Sequence, residues 1–185
     1  FILGDLSRTS EVDPRVGRPV PYAVFWFADS FGLPSDGVAR RLALGLLCIS
    51  LSTSIKDDVL DQKVESASEH MHLAALYSEK YMETFRDTFD QRSSFWKCLA
   101  ACKRESEKYE NWSSAFNHNR TFDPLSERFL RESSRYFVAV VLPTLTALAT
   151  ISGEENKIPG IARFLRHFAM GWRIFDDLND WESDL

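Results

Sequence analysis

Leu42-Ala43-Leu44-Gly45-Leu46-Leu47-Cys48-Ile49-Ser50-Leu51-Ser52-Thr53-Ser54-Ile55-Lys56-Asp57-Asp58-Val59-Leu60-Asp61 is an apolar run that ends in an acidic pentad. Leu42, Leu46, Ile49 and Thr53 fall on one helical face, and Leu44, Leu47, Leu51 and Ile55 on another. A helix apolar on two faces is expected to be central and buried nearly all round. Asp-Asp-x-x-Asp recurs once, as Asp176-Asp177-Leu178-Asn179-Asp180, again after an apolar stretch. On a helix, the first and last aspartates of such a pentad project from one face, about one turn apart.

Two such faces turned toward each other would hold four to six carboxylates around one pocket. That charge is not buried without cations to neutralise it. Hard carboxylate oxygens with room for water suit Mg²⁺, which usually bridges to substrate phosphates. The spacing therefore predicts a site for a phosphorylated ligand held through metal ions. A solvated acidic helix end is the plain alternative for one pentad and a poorer account of two.

Working outward, residues 1–21 are rich in Pro, Gly and Arg and read as an irregular arm, with a single helical domain over 22–185. Tyr22–Phe31 reads as a short helix stopped by Gly32 and Pro34. Ser35-Asp36 offers a cap for a helix from Gly37 to Gln62. Further helices are expected from Ser66 to Asp90, Ser93 to Phe116, Leu125 to Ile151 with Pro143 inside, and Ile161 to Trp181. With no strand alternation and short connections, the class is all-α with mostly antiparallel neighbours.

The 185 residues suffice for one domain, and 44% hydrophobic with 26% charged residues is ordinary for a globular protein. A net charge of −5 argues against a nucleic-acid partner. Three cysteines, Cys48, Cys98 and Cys102, give no disulfide framework and suggest a reduced, cytoplasmic setting. Cys98 and Cys102 lack the second ligand pair of a zinc site and read as small buried residues. No transmembrane segment is expected, because Leu42–Ile55 is too short. The chain reads as a fragment or as part of something longer.

With its paired pentads, the chain resembles the class I isoprenoid synthase superfamily, nearest the trans-prenyl diphosphate synthases, over about residues 35–185. The resemblance implies an antiparallel α-helical barrel, incomplete here at its C-terminus. It implies Mg²⁺ as cofactor, three ions in the resembled enzymes, bound with an allylic prenyl diphosphate. Asp57, Asp61 and Asp176 match the catalytic ligands, with Asp58, Asp177 and Asp180 as supporting ones. Trp172-Arg173-Ile174-Phe175 stands where the family has Phe-Gln before its second motif, and Arg135 lies near a diphosphate-binding lysine's place. Arg135 and Arg173 are thus the candidate diphosphate partners, with Arg131, one turn before Arg135, as the alternative, since guanidinium matches phosphate in fork geometry. Phe137, Trp172 and Phe175 are candidate walls of a dry aromatic cavity. Ser50 and Thr53, small residues before the first motif, would leave that cavity deep.

The chain departs from the elongating enzymes at specific places. Gln62-Lys63-Val64-Glu65-Ser66 stands where they carry an arginine pair, and no Gly-Gly-Lys-Arg segment precedes the first motif. The expectation is therefore terpene synthase-like use of one diphosphate substrate. A chain-elongating prenyltransferase and a non-catalytic regulatory subunit of the same fold are the alternatives. Relatives of this fold are often homodimers. Glu69-x-x-His72 hints at a di-iron bundle, but that fold needs two such motifs.

Overall fold

The computed structural model describes residues 20–33, 37–60, 64–117 and 127–180; of these, the side chains of 20–21, 113–117 and 176–180 are not described. The described chain is all-helical: α1 (Val20–Ser30), α2 (Gly37–Leu60), α3 (Ala67–Arg86), α4 (Phe95–Asn117), α5 (Glu127–Ser152) and α6 (Ile158–Asp180). The expected cap at Ser35-Asp36 and nearly all of the expected arm lie outside the described residues.

Local chemistry explains most boundaries. Gly32 at φ 65° ends α1 and Gly153 at φ 73° ends α5, a left-handed conformation that glycine adopts without Cβ strain. α3 stops at Arg86, earlier than the Asp90 expected from sequence. There the Thr88 and Phe89 amides both donate to the Phe85 carbonyl, turning the chain. Phe89 then stacks on Phe95 at 4.3 Å, and the Trp96 indole donates to the Asp90 carbonyl at 2.8 Å, fixing the α3–α4 corner. α6 starts at Ile158, three residues before the expected Ile161, because Pro159 is tolerated in a first turn whose amides need no helical partner.

Helix directions follow from cross-helix contacts. Gly45 of α2 faces Thr84 of α3, and Ser52 donates to the Ala74 carbonyl at 2.8 Å, so α2 and α3 are antiparallel. Cys98–Thr146 at 3.5 Å and the stacked Tyr109–Tyr136 rings at 4.6 Å make α4 and α5 antiparallel. Phe137 meets Phe168 at 6.0 Å, and Arg173 lies over the Phe129 ring at 5.2 Å, so α5 and α6 are antiparallel too. Tyr81 of α3 donates to the Val140 carbonyl of α5 at 3.3 Å, while the Asp57 charge reaches Tyr136. α2, α4 and α6 therefore run one way, and α3 and α5 the other.

The central helix is α5, not α2 as the sequence pattern suggested. Val141 through Ala149 are buried without a break, and α5 packs against α1, α2, α4 and α6. α2 is buried mainly through Ala39, Leu42, Ala43, Gly45, Leu46 and Ser52, while Leu44 is 62% exposed. On its second apolar face Leu47, Leu51 and Ile55 are half-buried. By length and composition alone, α2 and α5 would each be long and apolar enough to cross a bilayer. In α5 the surrounding helices account for that character, since a helix enclosed by a bundle is also apolar all round.

Candidate functional site

With alternating directions, the C-terminal ends of α2, α4 and α6 share one end of the bundle with the N-terminal ends of α3 and α5. Both acidic pentads close helices that finish there. Asp57 stands exposed in the last turn of α2, with Asp58 half-buried beside it. Asp61 lies outside the described residues, as do the side chains of Asp176, Asp177 and Asp180, whose backbone completes α6. Among the described residues no three His, Cys, Asp or Glu side chains form a metal-holding group.

Around Asp57 the structure assembles groups that sequence reading missed. Lys56 reaches Glu110 at 3.7 Å, tying α2 to α4. The half-buried Tyr136 phenol is pushed well above its usual range, first by desolvation and then by the charges of Asp57 and Glu110. Tyr109 stacks on Tyr136 and lies 5.5 Å from Trp112, which meets Phe129 at 6.2 Å. Arg173 covers the same Phe129 ring. A continuous line of rings thus runs from Asp57 on α2 to Arg173 on α6. Only the mixed aromatic and charged composition of 109–112 and 129–136 signalled it in the sequence.

Along α6 a second line holds two predicted wall residues. Phe164, Phe168 and Trp172 follow at one-turn intervals, with centroids 6.0 and 6.1 Å apart, and Phe175 continues from Trp172 at 6.1 Å. Phe137 of α5 joins at Phe168, so Phe137 and Trp172 belong to one aromatic surface. An open groove of about 400 Å³ is lined by His167, Phe168, Gly171, Trp172 and Phe175.

Other candidates sit differently. Arg135 is exposed, pairs with Glu132 at 2.9 Å and acts on Glu105 of α4, away from the α6 face of α5. Arg131 pairs with Glu127. Arg173 is the cation located between the acid end and the rings. Ser50 and Thr53 are half-buried, and each hydroxyl donates to its own helix, to Leu46 and Ser50 carbonyls at 2.8 Å. They offer small volume rather than free donors. Glu69 and His72 stand exposed on α3, outside the core position that a di-iron site requires. Cys98 and Cys102 are unoxidised, and hydrogen bonds from Cys102 and Thr146 lower the Cys98 thiol.

Chemically, this end joins carboxylates, a guanidinium and rings. The pentads supply hard oxygen donors of the type Mg²⁺ takes, and that donor set fits the ion better than any softer metal. Comparison with known proteins finds no matching family model, curated protein or solved structure.

Proposed function

We propose that this chain is a Mg²⁺-dependent class I isoprenoid synthase that ionises an allylic prenyl diphosphate, using one diphosphate substrate as terpene synthases do. One observation carries the reading: two Asp-Asp-x-x-Asp pentads end helices that finish at the same end of the bundle, both packed on α5. Asp57, Asp58 and Asp61 from α2 and Asp176, Asp177 and Asp180 from α6 would hold the metal. Bound Mg²⁺ would stabilise charge developing on the leaving diphosphate. Arg173 would add a fixed guanidinium, held in place by Phe129. Phe137, Phe168, Trp172 and Phe175 would exclude water from a prenyl chain and face a cation with ring electrons.

Thermal melting with Mg²⁺ and inorganic pyrophosphate, separately and together, tests the site. Joint addition stabilises the protein, by about 2.7 kcal/mol at a hundredfold excess over the dissociation constant, and Asp57→Asn removes the effect. No joint stabilisation sinks the reading. Mass spectrometry of products from geranyl, farnesyl and geranylgeranyl diphosphate, with and without isopentenyl diphosphate, then separates the chemistries. The full Asp-Asp-x-x-Asp form of the second pentad is what favours elongation as the second reading. Longer chains formed only with isopentenyl diphosphate would establish it.

A further inference from the structure

The contact between α4 and α5 holds a pair of thiols that the proposed chemistry does not use. Cys98 and Cys102 lie one turn apart on one face of α4. Cys102 belongs to the apolar core, and Cys98 is half-buried against it. Across the contact, the Cys98 sulfur lies 3.5 Å from the buried Thr146 hydroxyl of α5. Both thiols stand near enough to the Tyr81 phenol of α3 for their charge to act on it. Cys98 is in the first turn of α4, so the pair lies toward the end of the bundle opposite the pentads.

The spacing decides which chemistry the pair suits. Residues four apart on a helix have Cβ atoms roughly 5–6 Å apart. A disulfide needs about 3.5–4.5 Å between them, so joining sulfur to sulfur would deform α4. A metal ion between the sulfurs spans the wider gap, since each metal–thiolate bond adds about 2.3 Å. Zn²⁺ takes four ligands, and among the described residues no third His, Cys, Asp or Glu side chain completes such a group. Cu⁺ is selected by soft thiolates and is content with two of them in line.

Charge also favours a monovalent ion. Hydrogen bonds from Cys102 and Thr146 hold the Cys98 thiol below its ordinary range, and the bond to Cys98 together with burial holds Cys102 above it. The first-turn position, where the helix dipole favours negative charge, acts the same way on Cys98. The pair thus carries one negative charge and one proton between two sulfurs. Exchanging that proton for Cu⁺ bonds both sulfurs to the metal, releases one proton to solvent and leaves the net charge of the pair unchanged. We propose that Cys98 and Cys102 form a two-coordinate site for a soft monovalent metal ion, Cu⁺, bridging the two sulfurs beside Thr146. The site shares no residue with the proposed catalytic machinery.

Anaerobic titration of the reduced whole chain with Cu⁺, against a colorimetric Cu⁺ chelator, tests it. The wild type should take up a single ion, and so should Cys48→Ser. Cys98→Ser and Cys102→Ser should each bind about a hundredfold more weakly while keeping the helical circular dichroism of the wild type. X-ray absorption of the wild-type complex, which relies on no variant, should show two sulfur neighbours around the metal. A wild type that takes no Cu⁺ from the chelator overturns the proposal, as does binding that survives either of those two serine changes, binding lost in Cys48→Ser, or a sulfur count other than two.

Discussion

At the scale of a single side chain, Tyr136 is where the acid end can be titrated. Burial and the charges of Asp57 and Glu110 hold its phenol above the usual range, and burial does the same to Tyr81. An unfolded tyrosine ionises near pH 10. The stability these neutral phenols provide is therefore complete below about pH 10 and is lost as pH rises toward the folded values. Urea unfolding measured at rising pH should show a steepening loss above about pH 10, and Tyr136→Phe should flatten part of it. An unchanged slope in that variant would remove Tyr136 from the account. Ser52, fully buried, donates to the Ala74 carbonyl and lies 2.9 Å from the Ser78 hydroxyl. Ser52→Ala should cost about 1 kcal/mol by chemical denaturation, the worth of one such bond. Each pentad was legible in the sequence, because its spacing is local to one helix. Tyr109, Trp112 and Tyr136 were not, because stacking between helices leaves no trace in the spacing along either. For the same reason the spacing does not tell that Arg135 faces Glu105 of α4 while Phe137, two residues on, meets Phe168 of α6.

At the scale of helices, two positions test how the elements meet. A Cβ at Gly45 would stand 3.0 Å from the Thr84 hydroxyl, so α2 and α3 approach closely there. Gly45→Leu should push the helices apart and cost about 1–3 kcal/mol or more, read as a lower denaturation midpoint. Leu148 is fully buried in the middle of α5. Leu148→Ala should cost about 2–5 kcal/mol, through lost burial and the cavity left behind. A loss below about 1 kcal/mol would mean that α5 is not the helix the others are built upon. All six helices could be read from apolar periodicity and from Gly and Pro punctuation. The central role of α5 could not. Its row from Val141 to Ala149 includes Pro143, Thr144 and Thr146, all buried, and these lower its apparent apolarity beside the leucine-rich α2. Tyr81, near Thr144, shows how such a helix still satisfies polar groups inside the core.

Over the whole molecule, the decisive relation is parity. With neighbours antiparallel, every second helix points the same way, so pentads on α2 and α6 finish together. That much was implicit in counting helices and short connections. Which apolar surfaces would be left uncovered was not, since periodicity marks a face as apolar without saying what meets it. The edge of α6 is one case: Phe164 is 53% and Phe175 60% exposed beside the open groove. Apolar patches of this kind bind apolar probes. Phe175→Ser should reduce binding of a hydrophobic dye to the folded protein while changing stability by less than about 0.5 kcal/mol. Dye binding that persists undiminished would locate the exposed surface elsewhere.

The stacked Tyr109–Tyr136 pair, with Trp112 at 5.5 Å, has an optical consequence. Rings held that close in a fixed chiral arrangement mix their electronic transitions, so near-ultraviolet circular dichroism should carry a strong signature of this one corner. Because Asp57 acts on the Tyr136 phenol, any ion that neutralises the carboxylate perturbs that signature directly. The protein thus carries its own chromophoric gauge of events at the end of α2.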